Sequence, residues 1–146
     1  MRRRNKIILG SLLIVTVVLV GFVVWAETPL GPMAEAYEAL QNDSAVTVSV
    51  GKINQLPTVT VSVGNWLIFS PRSSNASKGF IIYPGGRVDY RSYAPAAHTI
   101  AAEGYLCVIV AMPLNLAVFG VNIASDVITS YPQISSWAIG GHSLGG

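Results

Sequence analysis

Residues 137–146 read Trp-Ala-Ile-Gly-Gly-His-Ser-Leu-Gly-Gly, and this stretch decides the fold. A short apolar run followed by Gly-x-Ser-x-Gly is typical of a sharp strand-to-helix turn, in which the serine has a strained backbone and an exposed hydroxyl. The flanking residues Gly141 and Gly145 leave space, because a side chain at either position would collide with the neighbouring strand or helix. We therefore predict that Ser143 is a nucleophile that follows a buried strand at residues 137–139.

The pattern around Ser143 has two other interpretations. The serine could lie in a glycine-rich strand–helix turn that has no chemical role. It could also belong to a phosphate loop, which would make the chain a nucleotide-binding domain. The phosphate-loop pattern requires a lysine where this chain has Gly146, and no G-x-G-x-x-G pattern fits the segment. The nucleophile interpretation is favoured.

Three segments together resemble the first half of an α/β-hydrolase. They are residues 83–87 (Tyr-Pro-Gly-Gly-Arg), Gly104-Tyr105 before an apolar strand, and residues 141–146. The resemblance covers residues 45–146 and is greatest to the esterase, lipase and dienelactone-hydrolase-like group. It implies an α/β fold with a mostly parallel sheet and flanking helices, a small-molecule acyl substrate such as an ester, and no cofactor.

The same resemblance implies a role for each residue of the candidate site. Ser143 would attack a carbonyl, and the backbone N–H groups of Leu144 and Gly86 would bind the developing oxyanion. Arg87 is the next choice for the second donor. The residues expected to support the turn itself are Gly141, His142 and Gly145.

The chain order of the resembling fold is nucleophile, then acid, then histidine. A chain that ends at residue 146 is therefore expected to be an N-terminal fragment that is inactive by itself. His142 is expected to point away from Ser143, because adjacent residues at so sharp a turn point apart, and His98 is expected to be a solvated or packed helix residue. Asp89 lies on the wrong side of Ser143 for the family's acid, and we expect it to form a local ion pair with Arg87.

Residues 7–25 form a run of 19 uncharged residues. As a helix the run would measure about 28 Å, against a hydrocarbon core of about 30 Å. Four cations lie within residues 1–6, and the first acid after the run is Glu27. The positive-inside rule then predicts a signal anchor with a cytoplasmic N-terminal flank and an extracytoplasmic domain.

Two alternatives to the anchor remain. A cleaved signal peptide would need a small-x-small site, which Val24-Trp25-Ala26 supplies poorly, and its apolar core would be only about 7–15 residues long. A buried core helix is disfavoured because the run is apolar on all faces.

Charge and cysteine content exclude several classes of function. The net charge is +2, but without the four N-terminal cations five basic residues face seven acidic ones, so no basic patch for nucleic acid is predicted. Cys107 is the only cysteine and lies in an apolar run, so we expect a buried core residue and no intrachain disulfide. With two histidines and no ligand spacing, no metal site is predicted.

The remaining pattern divides the chain into a tether at residues 26–44, with a short helix at 33–41, and the hydrolase part at residues 45–146. The hexapeptide Val-Thr-Val-Ser-Val-Gly occurs at 46–51 and again at 59–64, which predicts two adjacent strands at a sheet edge. Further elements are predicted as strands at 66–70, 80–83 and 106–111, a helix at 95–103 that ends before Gly104, and a helix from Asn115 to about Ser130.

A function of a different class, a non-catalytic anchored binding module on the same core, is the alternative to a serine hydrolase.

Overall fold

The computed structural model describes residues 3–52, 65–73 and 75–146. Its helices are α1 (Arg3–Ala26), α2 (Ala34–Ala39), α3 (Ala94–Ala102) and α4 (Ile123–Ser130). Its strands are β1 (Val46–Lys52), β2 (Asn65–Pro71), β3 (Lys78–Tyr83), β4 (Leu106–Val110) and β5 (Ser136–Gly141). Short 3₁₀ turns occur at Tyr90–Tyr93, Pro113–Asn115, Ala117–Phe119 and Ser143–Gly145.

The strands form one mixed sheet in the order β1-β2-β4-β3-β5. β2 is antiparallel to both β1 and β4, whereas β4, β3 and β5 are mutually parallel. The predicted α/β fold is confirmed, and its parallel part is the trio β4-β3-β5. Because parallel strands end at the same edge of a sheet, the loops after Tyr83, Val110 and Gly141 meet there.

Helices cover both faces of the sheet. In β4 every residue is buried, as expected for a continuous apolar strand in the interior of a sheet. Cys107 and Ile109 pack in the cluster that contains the buried face of α3, whereas Val108 and Val110 pack in the cluster on the other face, with α4. Alternate side chains of one strand thus hold the two layers together.

The predicted helix at 95–103 is confirmed as α3. Pro95 lies in its first turn, where a missing N–H costs nothing. Gly104 follows with φ 95°, a left-handed conformation that glycine adopts without strain. Ala94, Ala97 and Ala101 form the buried face, and their small size lets the helix lie close to the sheet.

The prediction that a helix begins at Asn115 is wrong. The helix α4 begins only at Ile123, and residues 113–119 form two 3₁₀ turns instead. Leu114 and Asn115 have positive φ angles of 53° and 52°, which an α-helix cannot contain. The Asn115 carbonyl accepts a hydrogen bond from the N–H of Arg87, at 2.8 Å, so a tertiary contact replaces the helical one.

The strand predicted to be buried at 137–139 is present in β5 but is not buried. Within the described residues β5 pairs only with β3, and Ile139 is 54% exposed. An edge strand lacks the neighbour that would cover its side chains, which explains the exposure.

The first copy of the repeated hexapeptide lies in β1, at the other edge of the sheet. The second copy, at 59–64, lies outside the described residues. The strand predicted at 66–70 is confirmed as part of β2. In the antiparallel pairing of β1 with β2, Val46 lies opposite Pro71 at one end and Lys52 lies opposite Asn65 at the other.

In the part of the chain that the structure describes, one helix is long and apolar enough to cross a membrane. It comprises Arg4–Ala26, with a mean hydropathy of 3.0 and exposed apolar side chains over its length. The 24 residues of α1 correspond to about 36 Å at about 1.5 Å per residue. The short helix predicted after it is confirmed as α2.

Candidate active site

Ser143 lies at the edge of the sheet where the parallel strands end. It follows β5, has a φ of 53° and opens the 3₁₀ turn Ser143–Gly145. A serine in this region of backbone conformation costs about 1–3 kcal/mol, which the surrounding structure has to supply. The side chain is exposed, and its hydroxyl has no hydrogen-bond partner among the described residues. The strained turn and exposed hydroxyl expected from the sequence are both present.

Gly141 and Gly145 are required by the close approach of backbone atoms. A Cβ on Gly141 would lie 1.9 Å from the carbonyl oxygen of Gly145, and one on Gly145 would lie 2.4 Å from the carbonyl oxygen of Tyr83. Neither obstacle is a side chain that could rotate away. These two glycines therefore allow the turn to close against the end of β3.

The loop after β3, residues 84–89, is called the oxyanion loop below, after the role that the sequence resemblance implies for Gly86. Gly86 faces the serine turn, since a Cβ on it would lie 3.1 Å from Cδ2 of Leu144. Among the hydrogen bonds of the described residues, the N–H groups of Gly86 and Leu144 have no acceptor. The N–H of Arg87 instead donates to the carbonyl of Asn115. Of the two donors considered from the sequence, only Gly86 therefore has a free N–H.

Tyr93 connects the oxyanion loop to the serine turn. Its hydroxyl accepts a hydrogen bond from the N–H of Gly85 at 2.9 Å, and it lies 2.9 Å from Nδ1 of His142. The side chain of His142 therefore lies against Tyr93 and Gly85. Sequence reasoning missed Tyr93, because nothing in the local pattern marks it.

His98 lies elsewhere in the fold. It is on α3, and its Nε2 lies 3.2 Å from Oδ2 of Asp43, in the segment between α2 and β1. The structure thus brings His142, but not His98, close to the candidate nucleophile.

The prediction of an ion pair between Arg87 and Asp89 is wrong. Asp89 pairs with Arg91, at 2.6 Å from Nη2 to Oδ2 and 2.9 Å from Nε to Oδ1. Hydrogen bonds from the Arg91 guanidinium hold the pKa of the Asp89 carboxyl below its usual range, despite the burial of the side chain. The pairing partner is set by the 3₁₀ turn Tyr90–Tyr93, which Asp89 also caps by accepting a hydrogen bond from the Arg91 N–H.

The guanidinium of Arg87 binds backbone carbonyl groups and not Asp89. Its Nε donates to the carbonyl of Trp25 and its Nη2 to that of Thr28, each at 2.7 Å. These partners precede it by about sixty positions, so local charge pairing could not have found them.

The surroundings of Ser143 include no metal site among the described residues. No group of three or more His, Cys, Asp or Glu side chains is placed to hold a metal within that part of the chain. A groove of about 360 Å³ borders Gly79, Tyr105 and Trp137, at the opposite ends of the parallel strands from Ser143.

Comparison with known proteins agrees with this geometry. Residues 79–146 match the model of a family described as the alpha/beta hydrolase family. No curated protein matches the chain. The fold is similar to that of a thermostable esterase from Pseudomonas putida ECU1011, with 16% identity and a TM-score of 0.52, over 76% of this chain and 39% of that one. It is equally similar to a mutant of the esterase rPPE, with 17% identity, a TM-score of 0.52 and the same two coverages.

The chain thus spans about two fifths of the length of these esterases. Their identity to this chain is low, so the likeness concerns the fold alone. The family match, the sheet order and the glycine-bounded serine turn together show that the chain has an α/β-hydrolase-like fold.

Proposed function

We propose that this protein is a membrane-anchored serine hydrolase that cleaves an ester or a related acyl substrate. The observation that carries the proposal is the convergence of three groups at one sheet edge. The exposed hydroxyl of Ser143 and the free N–H groups of Leu144 and Gly86 lie on two loops that contact each other.

In the proposed reaction the Oγ of Ser143 attacks the substrate carbonyl, and the carbonyl oxygen becomes an oxyanion. The N–H groups of Leu144 and Gly86 donate hydrogen bonds to that oxygen. Each donor of this type contributes about 10²–10³ in rate, because it stabilises a charge that exists only in the transition state. Collapse of the tetrahedral intermediate expels the alcohol and leaves an acyl-serine, which water then hydrolyses.

A general base has to take the Ser143 hydroxyl proton and return it to the leaving alcohol oxygen. This base and its acid are proposed to come from chain beyond residue 146. The two described histidines have other partners, since His98 pairs with Asp43 and His142 contacts Tyr93. The coverage of only 39% of the similar esterases is consistent with further elements in the whole protein.

A hydrolysis assay on the whole protein tests the proposal. We expect turnover of nitrophenyl esters and competitive inhibition by an arylboronic acid, which adds to a serine hydroxyl and places a boronate oxygen in the oxyanion site. The alternative, a non-catalytic binding module, predicts neither turnover nor boronate binding. An absence of both in folded protein would therefore favour the alternative.

The hydrolase domain is proposed to lie outside the cytoplasm. The cations before residue 7 and the acidic Glu27 after the apolar helix support this orientation. A reporter fused after Gly146 is expected to be digested when protease is added to intact cells. Full protection until lysis would reverse the orientation.

Tyr93→Phe is expected to lower kcat by about tenfold and to leave KM nearly unchanged. The substitution removes the acceptor of the buried Gly85 N–H, so we expect the adjacent Gly86 N–H to shift. The loss in rate should be smaller than the loss caused by removing an oxyanion donor completely. Steady-state kinetics of the whole protein measure the effect. Tyr90→Phe is the matched control, because the Tyr90 hydroxyl has no hydrogen-bond partner among the described residues. Equal kinetics for both variants would show that Tyr93 does not position the loop.

A further inference from the structure

The end of α1 is joined directly to the oxyanion loop. The Arg87 guanidinium donates to the carbonyls of Trp25 and Thr28, and Nδ2 of Asn115 donates to the carbonyl of Ala26 at 3.0 Å. The ring of Trp25 also lies under the guanidinium, with 4.6 Å from Cζ to the ring centroid. These contacts join the end of the apolar helix to the loop that carries Gly86.

The residues just after α1 extend this attachment. Leu30 forms a parallel bridge with Val88, in which the Leu30 N–H donates to the Arg87 carbonyl at 2.7 Å and the Asp89 N–H donates to the Leu30 carbonyl at 3.0 Å. Ala26 is fully buried where the helix meets the domain. The segment between helix and sheet is therefore docked on the candidate site.

The position of Trp25 indicates where a membrane surface would lie relative to the domain. Tryptophan concentrates at the boundary between hydrocarbon and headgroups, and arginine extends its charged end towards that boundary. If α1 spans a bilayer, Trp25 and Arg87 lie at this interface. The oxyanion loop then lies within one arginine side chain of it.

The surface beside the loop is apolar and carries no charge. Residues 111–122 contain no charged side chain. The turn Ala117–Phe119 packs against the serine turn, and Pro113–Asn115 packs against α1. The exposed members of this surface, called the apolar rim, are Val118 (55% exposed), Phe119 (53%), Val121 (65%) and Leu144 (42%).

We propose that the apolar rim rests on the bilayer that α1 enters, and that Ser143 takes its acyl substrate from that bilayer. The substrate class is an amphiphilic, long-chain ester, not a freely soluble short one. This inference rests on the proposed function for its substrate and on α1 for its membrane. The bilayer is favoured over a second protein as the occupant, because the rim is continuous with the end of the apolar helix through Asn115.

The placement of the rim is tested without measuring activity. Cys107 is buried, and burial raises the pKa of its thiol to about 12, so a maleimide dye will label an introduced cysteine in preference to it. The whole protein carrying Phe119→Cys or Glu103→Cys is labelled with an environment-sensitive dye and reconstituted in phosphatidylcholine vesicles. Glu103 is the matched control, since it is exposed and lies at the opposite ends of the parallel strands.

We expect phosphatidylcholine brominated near the headgroup end of its chains to quench the dye at 119 and to leave the dye at 103 unchanged. The same result is expected in a Ser143→Ala background, which separates this test from the catalytic assignment. A dye at 119 that is quenched by aqueous iodide but not by brominated lipid would overturn the proposal. Protection from both quenchers would also overturn it, because a protein segment would then cover the rim.

The substrate class is tested by comparing two presentations of one long-chain ester. Wild-type protein should hydrolyse the ester when it is in the same vesicles, and should lose that activity when the ester is in separate vesicles. Equal rates from both vesicle populations would contradict the proposal. A soluble short-chain ester is included in each assay as a control for catalysis. Failure to cleave any ester would count against the proposed function. The quenching result does not depend on catalysis and would still test the placement of the rim.

Discussion

Ser143→Ala is expected to lower kcat for ester hydrolysis by the whole protein by about 10⁶-fold, the effect of removing the nucleophile from a serine triad. The fold should be retained, because the exposed Ser143 hydroxyl has no hydrogen bond to lose among the described residues. Hydrolysis of a nitrophenyl ester and the thermal midpoint are measured together.

Ser136→Ala is the control for this prediction. Ser136 is an exposed serine at the other end of the same strand, β5, and its replacement should change neither quantity. Activity of the Ser143 variant within tenfold of wild type would mean that another group performs the attack.

Gly141→Ala is expected to prevent the serine turn from closing and to destabilise the folded state by more than about 4 kcal/mol. The added Cβ would lie 1.9 Å from the carbonyl oxygen and 2.2 Å from the carbonyl carbon of Gly145, and both are backbone atoms. Relief of the clash requires the turn to move as a whole. Soluble yield and the denaturation midpoint of the whole protein measure the effect.

Gly31→Ala is the matched control, because a Cβ at Gly31 would meet no atom within 4 Å. That variant should have the midpoint of wild type. A Gly141 variant that also unfolds at the wild-type midpoint would show that the turn is not packed as described.

The serine turn could be predicted from sequence because its requirements are local. A strained serine needs glycine on both sides, and the spacing of Gly141, Ser143 and Gly145 shows this directly. The same holds for α3, whose start at Pro95 and end before Gly104 follow from the backbone preferences of these two residues.

Several contacts of the oxyanion loop could not be predicted, because they join residues far apart in the chain. The guanidinium of Arg87 binds the carbonyl of Trp25, 62 positions earlier, and Asp89 pairs instead with its near neighbour Arg91. Asn115 looked like a helix cap, but its backbone and side chain hold Arg87 and the end of α1. The sequence also left open whether Gly86 or Arg87 has the free backbone N–H. That question depends on which of the two N–H groups already has an acceptor in the fold.

The exposure of β5 illustrates a second limit. Its apolar residues suggested a buried strand, but burial depends on the neighbours of a strand and not on its composition alone. Within the described residues β5 has β3 as its sole partner strand, so Ile139 is exposed.

The identity of the nucleophile is tested most directly by covalent labelling. The whole protein is treated with a fluorophosphonate probe, digested and analysed by mass spectrometry. We predict that the probe modifies Ser143 and no other serine, and that an arylboronic acid protects Ser143 from modification. A folded protein in which Ser143 stays unmodified, or in which the label is on another residue, would contradict the account.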